Sequence, residues 1–155
     1  MYTYATTLCA RSEQCPQEVR RKLMQRGATP EQADDLVARL VSEGYIDEMR
    51  YASAYVHDKL RFDRWGRVKI VTMLRSKGLS AAAIDAAWEE HYDAAAYRDA
   101  LDALLAAKRR TLPPATTPEE RRRACQSLMR YAASRGYEAH DIYAALGAPD
   151  DAADY

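Results

Sequence analysis

Apolar residues recur along this chain at intervals of three and four. Ala33, Leu36, Val37, Leu40 and Val41 form one such stripe, Tyr51, Ala52, Tyr55 and Val56 a second, and Tyr97, Ala100, Leu101, Leu104 and Leu105 a third. That spacing lines one face of an α-helix and matches no strand. Helix starts are marked as well. Thr29-Pro30-Glu31-Gln32 supplies a capping hydroxyl, a proline at the first helical position and an amide that can reach back. Thr117-Pro118-Glu119-Glu120 repeats that order, and Ala124, Leu128 and Tyr131 continue its apolar face. Asp47 is placed to cap the helix that carries Tyr51. The pattern predicts nine helices, over residues 3–13, 16–26, 30–43, 47–61, 67–77, 81–91, 94–110, 118–135 and 139–146.

Three glycines share a frame. Gly27, Gly78 and Gly136 each follow a basic residue: Arg26, Lys77 and Arg135. Glycine after a cation suits a helix C-terminus, where the chain turns left-handed and the dipole favours positive charge. Val19, Ile70 and Leu128 stand eight residues before these glycines, and Ala33, Ile84 and Ile142 six residues after. Val37, Trp88 and Leu146 follow at ten. A degenerate repeat of three helices is therefore expected. The predicted fold is all-α, with tandem units at 1–45, 46–92 and 93–148 in an elongated, curved arrangement. A three-helix unit of this size leans on its neighbours for stability. TLPPATTP, residues 111–118, reads as a Pro-rich loop inside the third unit. The acidic tail 149–155 is expected to fray.

Composition adds to this picture. Tyrosine occurs 11 times and phenylalanine once, which suits shallow cores with ring edges near water. The three cysteines, Cys9, Cys15 and Cys125, form no CxxC pair. Free packed thiols in a reduced cytoplasmic setting are expected. The first residues lack the basic start and apolar core of a signal peptide. No run approaches the ~20 apolar residues of a membrane span.

Catalytic and metal-binding patterns are missing. His57, His91 and His140 form no HxxxH or HExxH pair and read as surface or boundary residues. Asp34-Asp35 and Glu89-Glu90 are neighbours, which point apart on a helix. No glycine-rich nucleotide cradle is present. A non-enzymatic binding protein without cofactor or metal, acting as a monomer, is the expectation.

Charge shows where binding would occur. The net charge is zero, yet residues 1–78 carry 14 basic and 10 acidic residues and residues 79–155 carry 9 and 13. Between Lys59 and Lys77 there are seven cations and one acid, Asp63. Arg61, Arg64, Arg67 and Lys69 surround Gly66, beside Phe62 and Trp65. Arginine forks suit phosphate or carboxylate, and an aromatic among cations can stack on a base or seat on a protein. A solvated helix face, with Trp65 as an anchor of the loop, is the bland alternative. Lys77 closes this basic run. Arg20 and Arg21, with Lys22 and Arg26, form a second cluster. Arg121-Arg122-Arg123 opens a helix, where cations oppose the dipole.

These residues resemble the RecX family, regulators of the bacterial RecA recombinase. The resemblance is carried by Gly44-Tyr45-Ile46-Asp47-Glu48, by Tyr51-Ala52 with Tyr55-Val56, and by Arg61, Arg64, Gly66 and Arg67. Ile70, Leu74, Lys77-Gly78-Leu79 and Ile84 complete it. Glu48 stands where the family commonly has a second Asp, and Tyr51 where it has Phe. The resemblance implies three tandem three-helix repeats. It further implies a modulator that binds the RecA filament and inhibits strand exchange, ATP hydrolysis and co-protease function, with single- or double-stranded DNA as a further ligand. On that reading the helix 70–77 holds the Arg/Gly loop rigid against a filament rich in negative charge. A stand-alone DNA-binding module of helix-turn-helix type and a helical protein-interaction scaffold are the alternatives.

Overall fold

The computed structural model describes residues 1–147, so the acidic tail 149–155 lies outside the described residues. Within them the chain is all-helical, with nine helices and no strand: α1 (Tyr2–Arg11), α2 (Pro16–Gln25), α3 (Pro30–Ser42), α4 (Glu48–Arg61), α5 (Arg67–Ser76), α6 (Ala81–His91), α7 (Ala94–Arg109), α8 (Pro118–Ser134) and α9 (Ala139–Leu146). No helix among the described residues is long and apolar enough to cross a membrane.

The caps form as the sequence predicts. Thr29 Oγ1 accepts from the Gln32 amide at 3.1 Å while Gln32 Oε1 accepts from the Thr29 amide at 3.0 Å. Thr117 and Glu120 make the same reciprocal box at the start of α8. Asp47 Oδ1 accepts from the Arg50 amide at 2.9 Å. The C-terminal turns repeat too. At α2, α5 and α8 the residue after the glycine donates back to the carbonyl five positions earlier: Ala28 to Leu23, Leu79 to Leu74 and Tyr137 to Ala132. Each glycine has φ between 83° and 99° and donates to Met24, Arg75 or Ala133. This double closure satisfies carbonyls that the helix end would leave orphaned.

The chain divides into two units: Met1–His57 with Met73–His91, and Asp58–Thr72 with the chain from Tyr92 onward. The division falls inside α4 and α5. In the first unit α1, α2 and α3 close over Ala5, Val19, Leu23, Ala33, Leu40 and Ile46, each at most 1% exposed. Tyr2, Tyr4, Cys9, Leu36 and Val37 pack on that core. Tyr2 donates its hydroxyl to the Glu43 carboxylate, and the Arg39 guanidinium pairs with the same group at 2.8 Å. Those two donors hold the Glu43 carboxyl below the usual range. Tyr51, Ala52, Val56, Leu74, Ile84, Ala87 and Trp88 are also buried in this unit. Cys15 is buried and Cys9 half-buried; both are free thiols, pushed up in pKa by burial.

The second unit buries Tyr97, Leu101, Leu104 and Leu105 of α7, Leu128 and Ala132 of α8, then Tyr137 and Ile142, together with Ile70. The Tyr97 and Tyr137 rings lie 5.1 Å apart. Arg98 donates to the Ala144 carbonyl at 2.9 Å and ties α7 to α9. Removing each large apolar side chain from water stabilises by roughly 1.5–3 kcal/mol.

Candidate functional site

The basic stretch after α4 is a loop with a defined backbone. The Trp65 amide donates to the Lys59 carbonyl at 3.0 Å and closes the turn that follows the end of α4 at Arg61. Arg64 sits at φ 53°, a left-handed conformation that side chains other than glycine adopt at a cost of about 1–2 kcal/mol. Its carbonyl accepts the Tyr137 hydroxyl at 2.9 Å. The Gly66 amide donates to the Arg135 carbonyl at 2.8 Å, and the Val68 amide to the Gly136 carbonyl at 2.9 Å. The Arg67 amide donates to the Tyr97 hydroxyl at 3.0 Å. Four hydrogen bonds thus fasten the loop to the turn between α8 and α9 and to α7.

The close approach has a chemical cause. Gly66 and Gly136 are both buried, backbone against backbone. A methyl at Gly66 would overlap the Gly136 carbonyl carbon and the Tyr137 amide. A methyl at Gly136 would meet the Lys69 amide nitrogen at 2.6 Å and the Gly66 oxygen at 2.9 Å. Two glycines are required because neither strand of the clasp has room for a side chain. Burial holds the Tyr97 phenol above its ordinary pKa and raises Tyr137 to about 12, so both stay neutral hydroxyls.

With the backbone fastened, the side chains point to water. Arg61, Arg64 and Arg67 are exposed. Phe62 is 70% and Val68 50% exposed, so an apolar pair sits among the guanidinium groups. Trp65 is half-buried, with the Lys69 ammonium 4.2 Å and the Lys59 ammonium 4.5 Å from its ring centre. Cation–π attraction between these groups supports the loop from beneath. Asp63, the one acid of the stretch, is paired with Lys59 at 3.2 Å. The loop therefore offers forked donors around an apolar centre, with no nucleophile or acid–base pair.

The other candidates lie in the first unit. Lys77 is half-buried and hydrogen-bonded to Glu18, which raises its pKa. It ties α5 to α2. Arg20 pairs with Asp34 at 2.6 Å, joining α2 to α3 on the surface. Arg21 is exposed. The histidines depart from their separate places in the sequence: the rings of His57 and His91 stand 5.4 Å apart. Ser53 Oγ lies 2.8 Å from His91 Nε2 and donates to Glu90 at 3.0 Å. The Glu90 carboxylate also lies 3.8 Å from the same His91 nitrogen, so serine and carboxylate share one side of the ring. No set of three metal-type ligands is assembled among the described residues.

Sequence reasoning missed Tyr97, Gly136 and Tyr137, which supply the clasp. It assigned loop rigidity to the helix 70–77. The structure shows that much of the restraint comes from residues 97 and 135–137, because the loop's free amides need acceptors that α5 cannot provide.

Comparison with known proteins agrees with this architecture. The family described as RecX, second three-helix domain, matches residues 47–87, which include the loop. A Regulatory protein RecX of Pseudomonas savastanoi pv. phaseolicola is 42% identical over 86 residues, covering 56% of this chain and 55% of that protein. The chain thus spans about half the length of such Pseudomonas relatives. The Regulatory protein RecX of Halorhodospira halophila is 31% identical over 147 residues, covering 95% of this chain and 86% of its own. A crystal structure of regulatory protein RecX superposes with a TM-score of 0.80 at 21% identity, over 92% of this chain and 69% of that one. RecX from Lactobacillus salivarius gives 0.73 at 17% identity, over 94% and 91%. At those identities the two structures speak for the fold alone. The near full-length relative, with the family match across the loop, shows that this chain belongs to the RecX family of regulatory proteins.

Proposed function

We propose that this protein binds the RecA filament formed on DNA and lowers the recombinase's strand exchange, ATP hydrolysis and co-protease activity. The loop 61–69 is the contact on this reading, with Arg61, Arg64 and Arg67 as forked donors and Phe62 as apolar anchor. One observation carries it. The loop's backbone is fastened by four hydrogen bonds while its arginines and Phe62 stay exposed. Binding then loses little ordering entropy at the loop. Arginine around an aromatic is the composition of interface hot spots. Lys69 and Trp65 shape the loop from below. Lys77 and Arg20 already hold carboxylates and serve the fold first. The chain acts as a monomer in the cytoplasm, where recombinase and DNA are found.

The test is ATP hydrolysis by the same organism's RecA on single-stranded DNA, titrated with this protein. Dose-dependent inhibition is expected, with half-inhibition shifted upward by about tenfold or more for Arg64→Ala/Arg67→Ala, since hot-spot side chains are worth about 1–2 kcal/mol or more each. The variant keeps its helicity and melting temperature, because both side chains are exposed and the Arg67 contact to Tyr97 uses its backbone. No inhibition by saturating native protein would sink the function. Equal inhibition by the folded variant would remove the loop from it.

A further inference from the structure

Arg64 is the one residue other than glycine with a positive φ among the described residues. Its carbonyl accepts the Tyr137 hydroxyl at 2.9 Å, so the clasp holds this conformation. Asparagine or glycine would adopt it with less strain. An arginine stands there instead, exposed, and no carboxylate of the described residues pairs with it. Its guanidinium therefore adds nothing to the fold that offsets the strained backbone. Sparsely populated backbone of this kind concentrates at ligand clamps and functional sites.

Arg135 shows a second imbalance at the same place. Its carbonyl accepts from the Gly66 amide at 2.8 Å, so its backbone lies in the clasp. The side chain is half-buried, with the guanidinium carbon 5.7 Å from the Tyr131 ring centre. Its Nε is the one buried side-chain nitrogen or oxygen among the described residues without a hydrogen-bond partner. A desolvated cationic donor is destabilising unless an acceptor or a counter-charge compensates it. No acid of the described residues supplies that charge. Both cations act on the Tyr137 phenol. Burial raises its pKa to about 12, while the charges of Arg64 and Arg135 work in the opposite direction and favour an anion at that point.

We infer that Arg64 and Arg135 jointly bind one carboxylate of the recombinase, an aspartate or glutamate side chain that enters beside Tyr137. This rests on the loop as the recombinase contact and adds Arg135 to it. Two guanidiniums present forked donors to the two oxygens of a single carboxylate. A phosphodiester backbone carries charge all along its length and is met by rows of exposed cations, whereas Arg135 is half-buried. Phe62 and Val68, 70% and 50% exposed on the same loop, supply the apolar contacts that a protein partner covers.

The test pairs a measurement without the recombinase and one with it. In urea unfolding, Arg64→Asn should raise the midpoint and Arg135→Gln should leave it no lower than native, because neither guanidinium supports the fold. A lowered midpoint in either would overturn the inference, since the side chain would then serve the clasp. ATP hydrolysis by the same organism's RecA on single-stranded DNA is then titrated with each chain. Inhibition by the native chain reads the proposed function alone; the variants, compared with it, read the carboxylate site. Each single variant should shift half-inhibition upward by about tenfold, the loss of one charge-assisted hydrogen bond. The double variant should fall well short of the roughly hundredfold shift of independent contacts, because both arginines hold the same group. Unchanged inhibition by the folded Arg135→Gln chain would overturn the site. Arg64→Lys/Arg135→Lys keeps both charges and loses both forks, so it should recover little of the loss. Full inhibition by that variant would overturn the carboxylate in favour of a phosphate, which lysine also binds.

Discussion

Replacing Gly66 by alanine separates two accounts of the loop. Gly66 does not have a positive φ, so alanine fits its backbone. In an ordinary loop such a change restricts the unfolded chain and stabilises by about 0.4–1 kcal/mol. In the clasp the new methyl runs into the backbone of Gly136 and Tyr137, which cannot swing aside like a side chain. The loop must lift. Lifting breaks all four bonds that seat the loop, Gly66–Arg135, Val68–Gly136, Arg67–Tyr97 and Arg64–Tyr137. At about 0.5–1.5 kcal/mol for each hydrogen bond, the loss is roughly 2–6 kcal/mol. Equilibrium unfolding in urea reads this directly as a midpoint lowered by about 1–3 M for an m-value near 2 kcal/mol/M. Gly78→Ala is the control: φ is 83° with nothing within 4 Å, so only the backbone conformation is penalised, by about 1 kcal/mol. A Gly66→Ala protein as stable as the native one would refute the clasp.

Other outcomes follow from single side chains. Leu74, fully buried, should cost about 2–5 kcal/mol when cut to alanine, read by the same urea titration. Arg64→Val should be less stable than Arg64→Ala by about 1 kcal/mol, because a β-branched residue resists the left-handed φ of 53°. Both variants lose the same charge, so a thermal melt isolates the backbone effect. Glu120 has a lowered pKa when folded, so its stabilising contribution is present above its ordinary 4.5 and fades as pH falls below it. The urea midpoint should therefore drop on acidification below about pH 4.5, and less steeply in Glu120→Gln, which keeps an acceptor but no titrating charge.

Helices were legible because their signals are local. Thr29 with Gln32 and Thr117 with Glu120 lie three residues apart, and both boxes form where the spacing predicts. The glycine frame is equally short-range: Gly27, Gly78 and Gly136 each close the turn just before them. The loop's cations were found by the same reading, since charge density is visible in a window of twenty residues. What holds the loop was hidden. Gly66 and Gly136 are 70 residues apart, and nothing in either neighbourhood announces that they meet. Tyr97 looks like one more position on an apolar stripe until its hydroxyl is seen under the Arg67 amide. Lys77 read as part of a binding run because its partner, Glu18, lies 59 residues upstream. His57 and His91 were separated for the same reason.

The two phenols in the clasp also give the loop an optical signature. An exposed tyrosine ionises near pH 10 and gains absorbance at the red edge of its band. Tyr97 and Tyr137 are held back by burial and should ionise later than their exposed counterparts. When the loop lifts, both rings gain water and their transitions move toward the ordinary value. Alkaline difference spectra of the native protein, beside Tyr97→Phe and Tyr137→Phe, would therefore report without any label whether the arginine loop is seated.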